Sequence, residues 1–257
     1  NAIATAGESR LTRYLKAHHA VHSKNPAQRI FLNAKLFAIG LNRRQMFRLL
    51  RVFKNRFGPN EELLVFRMGG RGMEVVDDPS TFFLGDRDAS LSGTAVVMAV
   101  DGQRPLAVEV QALVARTFLS IPRRAALGFD ANRLHLLLAV LEKRAGFKLV
   151  QKDVFLNIAG GLKVNDPAID LAVISAVLSS SLDITIEPGI CMCGEVGLSG
   201  EIRPVNRIEQ RILEAEKLGF SRIIIPHNNL KGFDSSKCKI QIIQVRKVEE
   251  AFRQLFG

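Results

Sequence analysis

The chain has 257 residues, 47% of them apolar, and 36 Lys and Arg against 25 Asp and Glu, for a net charge of +11. That size and apolar share support one or two compact domains, and no apolar run is long enough for a membrane-spanning helix. Cys191, Cys193 and Cys238 form no CxxC pair, which argues against a zinc ribbon and a disulfide framework and fits a reducing compartment.

In chain order, Leu11, Tyr14, Leu15 and His18 fall at i, i+3, i+4, i+7 and predict a helix over residues 9–19, before Pro26 breaks the chain. Residues 31–41 and 46–53 read as two strands of a hairpin around the basic turn Asn42-Arg43-Arg44-Gln45. Lys54-Asn55-Arg56-Phe57-Gly58 follows, leading into a Gly-Pro turn. Residues 63–68 predict another strand, with Gly69 to Gly72 as a turn. Residues 85–92 read as a polar linker, which divides the chain into domains at 1–85 and 93–257.

Beyond Gly93, strands and helices alternate, which predicts an α/β or α+β domain. Strands are expected over 94–100 and 106–114 around the turn Asp101-Gly102, then at 154–158, 190–196, 223–225 and 240–245. Helices are expected over 131–144, 167–182, 207–218 and 248–255. The first has Leu134, Leu137, Leu138 and Leu141 on one face. The second is mostly apolar and reads as buried. Cys191-Met192-Cys193 lies in an apolar strand and reads as core, with its two thiols assigned to opposite faces.

The charge is unevenly placed. Residues 1–60 hold twelve cations (Arg10, Arg13, Lys16, Lys24, Arg29, Lys35, Arg43, Arg44, Arg48, Arg51, Lys54 and Arg56) against the single acid Glu8, and the rest of the chain is neutral. An almost acid-free basic segment points to a polyanion such as nucleic acid, because each neutralised phosphate releases condensed counterions. A solubilising or targeting-derived extension is the alternative. His18 and His22 share a helix face, with His19 beside them, but no carboxylate or Cys completes a metal set, so no metal is expected. No GxxxxGK[ST] phosphate loop occurs, and no cofactor is expected.

Several stretches carry a family resemblance. They are Lys54 to Gly58, Arg104-Pro105-Leu106 through Val114, Pro122-Arg123-Arg124, Asn132-Arg133-Leu134, Asp153 to Asn157, Gly160 to Lys163, Asp170-Leu171-Ala172 and Gly194 to Leu198. In this order they resemble the carboxy-terminal half of the RadA/Sms DNA repair family from residue 46 onward. The resemblance implies a Lon-protease-like domain, akin to ribosomal S5 domain 2, preceded by only a remnant of a RecA-like ATPase core. In the family, Lys54 and Arg56 would act on nucleotide; without a phosphate loop they read better as phosphate contacts on nucleic acid.

Lon-type proteases use a Ser–Lys dyad, in which the lysine activates the serine. Matching the motifs puts Ala168 at the serine position and Glu209 at the lysine position, so neither peptide nor ATP hydrolysis is expected. Ser175 and Ser179 to Ser181 read as packing or capping residues. Arg123, Arg124 and Arg133, with Asn132, match family positions that resemble a DNA-contacting surface; the alternative is that they pair with Glu109, Asp130 or Glu142.

Two functional readings follow. The first is a non-catalytic RadA-derived scaffold of an organellar nucleoprotein particle, such as a mitochondrial ribosome, in the mitochondrial matrix or plastid stroma. It would bind nucleic acid through residues 1–60 and proteins through the Lon-like domain. The alternative is a RadA-type repair and recombination factor of the bacterial cytoplasm, binding single-stranded or branched DNA, with its ATPase core outside this chain. No membrane association is expected in either.

Overall fold

A computed structural model describes residues 34–35, 39–40, 47–51, 54–55, 63–69, 72–76, 84, 90–101, 104–230, 232–234, 236 and 238–257. The chain divides into two compact units, Asn1–Asp77 and Asp78–Gly257.

In the first unit, β1 (Ala34–Lys35) pairs antiparallel with β4 (Lys54–Asn55). β2 (Ile39–Gly40), β3 (Phe47–Arg51), β5 (Leu63–Gly69) and β6 (Gly72–Val75) form an antiparallel sheet in that order. Ile39 opposite Leu50 is the hairpin expected around residues 42–45, and Gly69 opposite Gly72 closes the next one. The helix expected over 9–19 and its histidines lie outside the described residues.

The second unit is built on a mixed seven-stranded sheet. Its strands are β7 (Thr94–Asp101), β8 (Arg104–Arg116), β9 (Arg124–Leu127), β10 (Lys152–Ile158), β11 (Ile190–Met192), β14 (Arg222–Pro226) and β15 (Gln241–Val245), in the order β15-β14-β11-β7-β8-β10-β9. β7 and β8 form a long hairpin with Met98 opposite Ala107. β10 runs antiparallel to β8, and the remaining ladders are parallel. With its helices α1 (Ala131–Arg144), α2 (Asp170–Leu182), α3 (Ile208–Lys217) and α4 (Val248–Phe256), this is an α/β fold.

Helix α2 is apolar on all sides, and every residue from Asp170 to Ser179 is buried, as expected of a helix inside a core. Pro167 and the Asp166 side chain, which accepts from the Ala168 amide at 3.1 Å, open the preceding 3₁₀ turn. Asp183, in the left-handed conformation, closes the helix. Ser179 Oγ accepts from the Gly93 amide at 2.8 Å and Ser180 Oγ from the Val114 amide at 2.9 Å, so these hydroxyls tie α2 to the β7–β8 hairpin. Ser181 Oγ accepts from Lys152 Nζ at 2.7 Å. Of the serines expected to pack or cap, Ser175 and Ser179 are fully buried in the helix, whereas Ser180 and Ser181 bind β8 and Lys152 instead.

Three local features differ from the sequence reading. The strand expected over 190–196 ends at Met192, because the Gly194 amide turns to the Ala168 carbonyl at 2.9 Å. β12 (Glu195–Val196) then pairs antiparallel with β13 (Ile202–Arg203). Cys191 and Cys193 pack in one core cluster with Val96, Met98, Ile212 and Ile223, not on opposite faces. Side chains two residues apart in extended chain point the same way, so the assignment to opposite faces is corrected. Lastly, β9 was not expected; it is a parallel edge strand held by β10, with Ala125 beside Phe155.

Candidate nucleic-acid interface

The three arginines expected on a DNA-contacting surface meet different fates. Arg123 lies at the end of the loop that crosses from β8 to β9. Its amide donates to Asp153 Oδ1 at 2.7 Å, and its Nε and Nη2 reach Asp153 Oδ2 at 3.3 and 3.2 Å. The guanidinium also lies over the Phe155 ring, 5.7 Å from its centroid. Its side chain nevertheless remains 64% exposed, so one face of the cation is open to a ligand. The Arg123 amide, more than any other group, holds the Asp153 carboxyl below its usual range.

Arg124 turns inward. Its Nη1 donates to the Lys152 carbonyl at 2.5 Å and its Nη2 to the Leu149 carbonyl at 2.9 Å, which fixes the turn before β10. Burial lowers its pKa, opposed by Glu142 and Asp153.

Arg133 is positioned by the start of α1, where Asp130 caps the helix by accepting from the Arg133 amide at 2.7 Å. Its guanidinium forks onto Asp170, with Nε on Oδ1 at 3.2 Å and Nη2 on Oδ2, and Nη2 also donates to the Val196 carbonyl at 2.8 Å. The bond to Asp170 raises the Arg133 pKa. Asp170 is 1% exposed. Burial pushes its carboxyl up, while Arg133 and the Val196 amide pull the other way. The carboxylates that bind the Arg123 and Arg133 guanidinium groups are therefore Asp153 and Asp170; of the acids considered from the sequence, Asp130 takes the Arg133 amide and Glu142 acts on Arg124 by charge alone. Nothing local to the arginines signals carboxylates 30 and 37 residues away.

Of the other cations expected to meet nucleic acid, Arg10, Arg13, Lys16, Arg43, Arg44 and Arg56 lie outside the described residues. Arg48, Arg51 and Lys54 are placed on β3 and β4 by backbone alone.

The turn opening α2 carries Ala168, fully buried. Glu209, matched to the lysine position, is exposed on the first turn of α3; the buried charged side chain of that turn is Arg211, which reaches Asp166, two residues before Ala168. Arg211 is 0% exposed and donates to Asp166 Oδ2 and the Met98 carbonyl, both at 2.6 Å, and to the Asn206 carbonyl and Oδ1, both at 2.9 Å. Asp166 also accepts from the Val100 amide at 2.7 Å. On α3 the inward positions are Ile208, Arg211, Ile212 and Ala215, the i, i+3, i+4, i+7 set, and Glu209 falls off that stripe. Sequence reasoning missed Arg211; its spacing from Ile208 was the available signal.

Chemically this cluster is closed. A methyl group cannot attack a carbonyl, and a guanidinium stays protonated and cannot serve as a base. The nearby Cys193 thiol is fully buried, and burial pushes it up to about 12, away from thiolate reactivity. Among the described residues no cluster of three metal-ligating side chains occurs, and no helix is long and apolar enough to cross a membrane.

A mixed-sheet α/β domain with an alanine and a buried arginine at its central turn, and an outward arginine at its sheet edge, is the class defined so far. A family model described as subunit ChlI of Mg-chelatase matches residues 128–229. The chain is 47% identical over 215 residues to the DNA repair protein RadA of Bacillus subtilis, covering 84% of this chain and 47% of that relative. RadA of Streptococcus pneumoniae is 47% identical over 215 residues, covering 84% of this chain and 51% of the relative. RadA of Synechocystis is 47% identical over 201 residues, covering 78% of this chain and 39% of the relative. The chain belongs to the RadA family, and it spans about half the length of the curated relatives it matches.

Proposed function

We propose that this chain is the DNA-engaging, non-hydrolytic part of a RadA-type DNA repair factor. The observation that carries the reading is the 47% identity with a DNA repair protein across 84% of the chain. The relatives named above are all DNA repair proteins, and the organellar-ribosome scaffold finds no support among them. Residues 93–257 would form the Lon-like domain and residues 1–85 the end of a RecA-like core.

The buried Ala168 and Arg211 support a domain that has no Ser–Lys dyad and works by binding. Arg123, open on one face, supports a phosphate contact there, and the cations of residues 1–60 would supply further ones. DNA affinity measured over a salt series tests the reading. The logarithm of the association constant should fall linearly with the logarithm of salt concentration, with a slope set by the number of phosphates neutralised. No binding to single-stranded or branched DNA at low salt would overturn it.

A further inference from the structure

The loop between β8 and β9 presents its apolar side chains to water instead of folding them in. Phe118 is 96% exposed, Leu119 53%, Ile121 78%, and Val150 on the adjoining turn 68%. The loop is nonetheless fixed at both ends. The Thr117 amide donates to the Gln151 carbonyl at 3.1 Å, and the Leu119 amide to Thr117 Oγ1 at 3.1 Å. At the other end the Arg123 amide is bound by Asp153, and the Val154 amide donates to the Arg123 carbonyl at 2.9 Å. Pro122 restricts the last step. A loop pinned in this way holds Phe118 outward, with little ordering left to lose on binding.

The surroundings are cationic. Arg116 ends β8, exposed and paired across the ladder with Lys152; Arg123 ends the loop; Lys148 is exposed on the turn before β10. The nearby acids are already engaged: Asp153 by Arg123, and Glu142 by the Leu149 amide at 3.0 Å.

We infer that residues 117–122 form a wedge for unpaired bases, with Phe118 stacking on or inserting beside a base and Arg116 and Arg123 holding the flanking phosphates. The inference rests on the DNA-binding reading above and deepens it, naming the loop and the side chain that would meet an unstacked base. Phosphate contacts alone would need no apolar tip. An exposed aromatic between cations supplies what single strands and junctions offer and an intact duplex hides, a free base face. Positive charge around the tip favours a polyanion over an apolar protein surface.

The test uses the full chain, Phe118→Ala and Phe118→Trp, with a fluorescently labelled single strand, a duplex of the same sequence and anionic phospholipid vesicles. Phe118 touches almost nothing, so the melting temperature should not move. Phe118→Ala should weaken single-strand binding by about 5- to 150-fold, leave duplex binding unchanged, and be rescued by Phe118→Trp. If wild type binds DNA and Phe118→Ala binds single strand equally well, the wedge is wrong and the DNA-binding reading stands. Loss of vesicle binding, or a change in sedimentation, without loss of single-strand affinity makes the loop a membrane or self-association surface and overturns the wedge. Failure of wild type to bind any DNA overturns the underlying reading as well.

Discussion

Arg211 and Asp166 form an ion pair at 2.6 Å with side chains 0% and 7% exposed, joining α3 to the turn that opens α2. Arg211 also donates to Met98 and Asn206, and Asp166 also accepts from Val100 and Ala168. Removing one partner leaves an uncompensated charge in the core, which costs about 3–5 kcal/mol. Arg211→Met should therefore lower unfolding free energy in urea by that order. Adding Asp166→Asn removes the stranded charge and should recover part of the loss. Strict additivity of the two changes in a double-mutant cycle would show that the pair is not coupled.

Much of this architecture is readable from sequence because its signals are local. Residues 131–144 carry a leucine stripe behind an Asp N-cap, and the helix occupies that span. The β7–β8 hairpin follows from two apolar runs around Asp101-Gly102. What was not readable depends on partners distant in sequence. β9 is Arg-Ala-Ala-Leu, a poor strand on propensity, and exists because β10 offers it a ladder and Arg124 anchors it from inside. The break at Gly194 needs the Ala168 carbonyl, and the Asp166 carboxylate that pairs with Arg211 lies 45 residues away, although the helix stripe already turns Arg211 inward. The site suffered most, because the partners of its arginines, buried aspartates for Arg123 and Arg133 and backbone carbonyls for Arg124, are distant in sequence and no motif spacing reveals them.

Gly93 illustrates a backbone requirement that only the fold exposes. Its φ is +84°, and an added Cβ would lie 2.3 Å from the Ala112 carbonyl oxygen, a backbone atom with nowhere to go. Gly146 has φ +75° but open space around it. Gly146→Ala should cost about 1–2 kcal/mol from conformation alone, whereas Gly93→Ala adds the clash and should cost several kcal/mol, on the order of the larger core substitutions. Thermal unfolding of the two variants compares them directly. Equal melting temperatures would remove the steric argument.

The Asp153 carboxyl is held below its usual value of about 3.9, chiefly by the Arg123 amide. A lowered folded-state pKa contributes stability that is present above the unfolded value and is lost as pH falls through the folded one. The loop end at Arg123 should thus stay protected through neutral and mildly acidic pH and loosen only below the ordinary carboxylate range. Carbon-detected titration of Asp153, read with the chemical shift of the Arg123 amide, tests this. An amide shift that moves at or above pH ~4 would show that the carboxylate is not held by that bond. Asp153→Asn should remove the acid transition while leaving the rest of the fold in place.

Arg123 and Arg124 are adjacent in sequence and opposite in role, and this gives the sharpest separation of DNA contact from scaffold. Arg124 supplies two bonds to carbonyls, at 2.5 and 2.9 Å; in Arg124→Ala the Leu149 carbonyl keeps the Lys152 amide at 3.1 Å, while the Lys152 carbonyl loses its Arg124 donor. An unsatisfied buried acceptor costs about 1–3 kcal/mol, so that variant should unfold at lower urea. Arg123 is mostly exposed although its partner Asp153 is buried, and an ion pair with one solvated member is worth about 1 kcal/mol. Its amide bond to Asp153 also survives any side-chain replacement. Arg123→Ala should therefore leave stability nearly unchanged while weakening DNA binding and reducing the salt slope by about one phosphate contact. Unchanged affinity and slope for Arg123→Ala, with fold and stability intact, would move the phosphate contacts of this unit away from the β8–β9 edge. A large stability loss for Arg123→Ala would instead make its side chain part of the scaffold, like its neighbour.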